Sequence, residues 1–270
     1  MNAFPRPDRD RLSILTALIL LAYGLTRVVS LPSLISEFSL FGLLLRFELN
    51  TQFVMLSLTA VLAVSGVDWL LDSHSEIDES DIIYEHWIIP ALAAVVFGVL
   101  LIRIPDGPSL WLGLVLSAGL LAGVLLAEFF AASGTDPRRD AATIGLRILG
   151  YLLLVQVIFS TRATGMRAAF AIPVIFVTVS AVSWRILRLS DLGQKSIYYG
   201  LIVGWVAAQI ALGLHYWPIK PLQAGMLLGL LIYICNGFLI LNERREMNFS
   251  QALEFGIVGG VSLIAILVLT

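Results

Sequence analysis

Four charged residues stand near the ends of long apolar runs and have the types that chemistry at a membrane surface needs: Asp68, Glu128, Arg147 and Arg185. If those runs are helices crossing a bilayer in alternating directions, all four fall at the same inner interface. There they would form a pocket for an anionic lipid headgroup or a phosphorylated carrier, the arginines holding the charge and Asp68 or Glu128 serving as base. The plainer reading is ion pairing at helix ends, because long charged side chains at that depth reach the headgroups and steady the packing. The polar side chains in mid-run are neutral. Among them Gln156 and Gln209 are candidates for a polar cavity, although hydrogen bonding between helices is the commoner use of such groups.

Other chemistries find little to build on. His86 opens one run and His215 closes another at the opposite interface, so the two cannot share a haem. His74 and His86 flank the acidic stretch 72–85, where mixed imidazole and carboxylate ligands would suit a divalent cation. Acidic loops are ordinarily just solvated, however, and no HExxH, CxxC or EF-hand spacing accompanies this one. The single cysteine, Cys235, has no histidine at its depth, and neither a GxSxG elbow nor a Walker loop occurs. No metal, no cofactor and no catalytic residue is therefore expected, and the chain reads as non-enzymatic rather than as an enzyme.

The elements that must position these residues follow from composition. Of 270 residues, 59% are hydrophobic and 13% charged, and the mean hydropathy is +0.92. An ordinary soluble domain carries about 25% charged residues, so the apolar surface here must face lipid. The net charge of −2 gives no field for nucleic acid. A bilayer core about 30 Å thick needs roughly 20 apolar helical residues per crossing. Nine runs qualify: Leu12–Ser30, Thr51–Leu71, His86–Ile104, Ser109–Ala132, Thr143–Ser160, Met166–Leu187, Ser196–Leu214, Pro221–Leu241 and Ala252–Thr270. The expected fold is all-α, a polytopic transmembrane helix bundle in one integral membrane domain spanning residues 1–270. With the N-terminus inside, eleven lysines and arginines fall on the inner side and six on the outer, which favours that orientation. Residues 31–50 are interrupted by Glu37, Arg46 and Glu48 and are expected to form an interfacial or re-entrant helix.

No charge lies near a midplane, which argues against an ion-translocating pump or a voltage sensor. GxxxG spacing is abundant: Gly119 with Gly123, Gly200 with Gly204, Gly225 with Gly229 and Gly256 with Gly260. Each pair lets helix backbones approach closely, within the chain, against a second copy or against another membrane protein. Pro173 lies deep in a run and is expected to kink it.

Two stretches carry a resemblance. Leu31-Pro32, Glu37-Phe38 and Phe41-Gly42, and later His215-Tyr216-Trp217-Pro218 with Pro221 and Gly225, are similar to an uncharacterised family of bacterial multi-spanning membrane proteins, a domain of unknown function. The resemblance implies a multi-pass protein of the bacterial cytoplasmic membrane and supplies no activity, cofactor or site residue. Taken together, the sequence points to a non-enzymatic accessory, assembly or scaffold component in contact with membrane lipids. A lipid-handling enzyme or flippase-like protein with an inner-face pocket is the alternative, and a solute transporter the next.

Overall fold

The computed structural model describes residues 8–29, 32, 34–40, 43–72, 83–133, 136–244 and 256–264. Among them, eight helices are long and apolar enough to cross a bilayer. They are α1 (Arg9–Val28), α2 (Thr51–Leu71), α3 (Ile88–Ile102, entered through the 3-10 turn Ile83–Trp87), α4 (Pro108–Ala132), α5 (Arg139–Ala163), α6 (Ala168–Arg188), α7 (Lys195–Tyr216) and α8 (Pro221–Glu243). The all-α bundle expected from composition is the fold observed. Of the ninth run, residues 256–264 are helical, and its remainder lies outside the described residues, as do His74 and most of the acidic stretch.

Helices begin where the sequence supplies a start signal. Asp8 accepts hydrogen bonds from the Asp10 and Arg11 amides ahead of α1, and Asn50 accepts one from Phe53 ahead of α2. These side chains satisfy amides that have no partner within the helix. Pro108 and Pro221 open α4 and α8, where a missing N–H costs nothing.

Residues 31–50 depart from expectation. In place of an interfacial or re-entrant helix, β1 (Leu34–Leu40) pairs antiparallel with β2 (Leu43–Leu49), in a register that sets Glu37 opposite Arg46 and Phe38 opposite Leu45. The physical reason is a period of two. Glu37 and Ser39, then Arg46 and Glu48, recur at alternate positions, which assigns them to one face of a ribbon and Phe38, Phe47 and most of the leucines to the other. The pairing runs to Leu40 opposite Leu43.

The chain divides into two compact units, residues 1–142 and 143–270. The sequence reads as one domain because the division falls within α5, where composition does not change. In the first unit, α1 and α2 run antiparallel: Leu15, early in α1, packs with Val67, Leu70 and Leu71, late in α2, together with Leu125 and Phe129 of α4. Arg11 donates to the Trp69 carbonyl at 2.5 Å at the same end. The paired strands β1 and β2 lie in sequence between these two antiparallel helices.

In the second unit, α6 and α7 are in the closest backbone contact. A Cβ on Gly200 would lie 2.7 Å from the Ser180 carbonyl, and one on Gly204 would overlap Ser180 Oγ. α8 meets α5 in the same manner, with Gly225 against the Val155 carbonyl and Gly229 against the Val155 side chain. Two of the four GxxxG pairs are therefore used inside the unit. At Gly119, Gly123, Gly256 and Gly260, an added Cβ would meet nothing within 4 Å. Pro173 lies inside α6.

Candidate functional site

The four charged residues singled out by the sequence fall two to each unit. Asp68 and Glu128 belong to the first, Arg147 and Arg185 to the second, and each pair has its own chemistry.

In the first unit, Glu128 is completely buried near the end of α4. Its Oε2 lies 2.9 Å from Nδ1 of His86, whose other ring nitrogen is 4.0 Å from Glu85. Asp68 accepts a hydrogen bond from the Trp87 indole at 2.5 Å. Two successive residues at the entrance of α3 are thus bound to carboxylates from α4 and α2. A buried carboxylate keeps its charge only with hydrogen-bonding partners, so this cluster is a lock holding α3 to its neighbours. Nearby, Arg138 pairs bidentately with buried Asp136 at 2.9 and 2.7 Å and covers Phe130 with its guanidinium 3.9 Å from the ring. The hydrogen bond to Asp136 pushes the Arg138 pKa up, holding the cation. Among the described residues, no group of three or more His, Cys, Asp or Glu side chains could hold a metal ion.

The second unit carries a groove of about 340 Å³, inside the range of roughly 300–1,000 Å³ usual for ligand sites. α5 contributes Ile144, Arg147, Ile148 and Tyr151, and α8 contributes Tyr233 and Gly237. Ile144 is 56% and Ile148 57% exposed, so the rim is an apolar outer surface. α5 begins at Arg139, four residues earlier than the apolar run suggests, and Arg147 therefore stands more than two turns inside the helix. Its Nη2 donates to the Leu189 carbonyl at 2.5 Å. Its Nε is buried with no hydrogen-bond partner.

Behind the groove, Asn236 is fully buried and joins three helices. Its Nδ2 lies 3.3 Å from the Tyr151 hydroxyl and 3.2 Å from Ser183 Oγ. Tyr151 and Tyr233 pack edge to face, with ring centroids 5.6 Å apart. Arg185 is 2% exposed, so it does not reach toward headgroups as a charged residue near a helix end is expected to do. Ser190 and the α8 cap are joined by Arg244, whose Nη2 donates to the Ser190 carbonyl at 3.2 Å.

Gln156 donates to Ser160 on its own helix at 3.3 Å, Gln209 is exposed on α7, and neither lines the groove. At the opposite end of the unit, Arg162 collects the carbonyls of His215 (2.6 Å), Trp217 (3.1 Å) and Ile219 (3.2 Å). Arg27 does the same in the first unit, reaching the carbonyls of Leu101, Ile102 and Ile104 and ion-pairing with Asp106 at 3.3 Å. Both arginines gather carbonyls at or just beyond the end of a helix, where acceptors are in excess of backbone donors.

A family model described as a protein of unknown function (DUF5656) matches residues 31–269. The chain belongs to that family. The DUF5656 match runs from the hairpin through α8 and takes in both clusters, the groove and the His215–Gly225 motif. Arg162 shows what that motif does in the fold, since it is His215, Trp217 and Ile219 whose carbonyls the guanidinium gathers. No curated protein and no solved structure matches the chain.

Sequence reasoning missed His86 as the partner of Glu128, and Tyr151, Tyr233, Asn236 and Arg244 around Arg147. Two signals were present. Arg147 and Tyr151 are four residues apart and share a helix face, and Asn236 is an amide well inside an apolar helix, where a polar group needs a partner on a neighbouring helix.

Proposed function

We propose that this chain is a non-enzymatic integral membrane protein of the bacterial cytoplasmic membrane, an accessory or assembly component whose working part is an amphiphile-binding groove between α5 and α8. The observation that carries this reading is Arg147. A permanently charged guanidinium stands two turns inside an apolar helix, in the wall of a groove of about 340 Å³, with Nε buried and unpartnered. A charged group so placed is costly without a counter-charge, and an anionic headgroup supplies one. The exposed rim at Ile144 and Ile148 gives a lipid tail a continuous path from bilayer to groove. Basic pockets between transmembrane helices on the inner side are suited to such headgroups.

The test is lipid retention. The full chain is purified in mild detergent and its bound lipid quantified by mass spectrometry, for the wild type and for Arg147→Gln. The wild type is expected to retain anionic lipid near one per chain, and the variant, with an unchanged melting temperature, to lose it. Equal retention by both proteins would exclude the groove as the site.

A further inference from the structure

A second guanidinium stands at the end of α8, three residues beyond Leu241 of the groove wall. Arg147 from α5 and Arg244 from the cap of α8 donate to adjacent carbonyls, Leu189 at 2.5 Å and Ser190 at 3.2 Å. Those carbonyls belong to the tight turn that ends α6, where Asp191 (φ 63°) and Gly193 (φ 61°) adopt left-handed backbone. One turn thus gathers two guanidiniums from two other helices. Two like charges held on adjacent carbonyls repel one another, and Tyr151 and Asp191 act against that repulsion at Arg147. Glu243 is already engaged, paired with Lys195 at 3.2 Å and hydrogen-bonded by the Tyr199 hydroxyl. Among the described residues of the unit, this end carries Arg147, Arg185, Arg188, Lys195 and Arg244 against Asp191 and Glu243.

Resting on the groove reading above, we propose that the ligand is a phosphomonoester: a dianionic terminal phosphate bridging Arg147 and Arg244, with its diacyl or isoprenoid tail along Ile144 and Ile148. Guanidinium groups bind phosphate oxygens through paired N–H donors, and hydrogen bonds to ionised partners are roughly twice as strong as neutral ones. A phosphodiester headgroup carries one charge and satisfies one guanidinium. A monoester carries close to two and satisfies both, relieving the repulsion between them.

The experiment measures binding to the full chain in nanodiscs by native mass spectrometry, with phosphatidic acid, phosphatidylglycerol and diacylglycerol in turn, and with inorganic phosphate as competitor. Phosphatidic acid is expected to bind about tenfold more tightly than phosphatidylglycerol, the worth of one further charge-assisted hydrogen bond, and diacylglycerol to bind no better than background. Arg244→Gln is expected to abolish that preference while keeping phosphatidylglycerol binding, Arg147→Gln to lose both, and Arg167→Gln, at the opposite end of the unit, to change neither. Equal affinity for the two phospholipids overturns the phosphomonoester assignment and leaves the groove reading standing. Absence of binding by either overturns both. Displacement of phosphatidic acid by millimolar inorganic phosphate supports the dianion site and overturns a lipid as its source.

Discussion

Glu128 and His86 illustrate what single residues do in this protein. Removing the imidazole that faces a buried carboxylate leaves that acceptor less well satisfied, at a cost of about 1–3 kcal/mol, whereas replacing both partners with apolar groups can be nearly neutral. His86→Ala is therefore expected to lower stability by about that amount, and His86→Ala combined with Glu128→Leu by clearly less. Thermal unfolding in detergent compares them, and additive losses would show that the 2.9 Å contact is not a lock. Arg162→Ala is expected to cost about 2–4 kcal/mol, because carbonyls of three residues lose a charged donor together. Arg162→Lys is expected to recover only part, since an ammonium lacks the planar fork. The positions of Asp68, Glu128, Arg147 and Arg185 near the ends of apolar runs are legible in the sequence, but their partners are not. Those partners are a backbone carbonyl and two aromatic rings, which leave no pattern of opposite charges to read: Leu189 for Arg147, Trp87 for Asp68 and His86 for Glu128.

At the scale of elements, helices are the most legible part of the chain. Thr51–Leu71 is bounded identically in sequence and structure because Asn50 caps its start and Asp72 begins the polar stretch after it. The run from Thr143 falls four residues short, since Arg139 and Asp140 are charged yet continue the helix. The hairpin is hidden from a reading by apolar run length, because its polar residues interrupt the run at alternate positions. GxxxG pairs are legible as packing motifs, but only the structure separates those in use from those left open. Gly200→Ala is expected to destabilise the fold severely, because its Cβ would lie 2.7 Å from the Ser180 carbonyl and 2.8 Å from the Trp184 backbone nitrogen, whereas Gly123→Ala has nothing within 4 Å to meet. On an unobstructed helix surface that change is expected to be neutral or to stabilise by about 0.5–1 kcal/mol. Unfolding of the two single variants in the same detergent distinguishes them, and a similar loss in both would show that α4 packs on something through Gly123.

At the scale of the whole chain, alternating crossings with the N-terminus inside, the orientation favoured by the distribution of arginine and lysine, put the segments after α2 and after α8 on the same inner side. Reporter fusions after Asp78 and after Glu243 are both expected to report the inner side; a split result would reverse the placement of Arg147 and Arg244 at an inner surface. Of the two compact units, the one that carries the cationic groove is the one to which the proposal gives the binding role. The most direct measurement of that role is photo-crosslinking with a phosphatidic acid that carries a diazirine on its acyl chain, followed by peptide mapping. Labelling concentrated on α5 residues 144–151 and α8 residues 233–241, and lost in Arg147→Gln, is the expected result. Labelling spread evenly over exposed apolar faces such as Val115 of α4 and Trp205 of α7, which are 68% and 62% exposed, would contradict a binding groove.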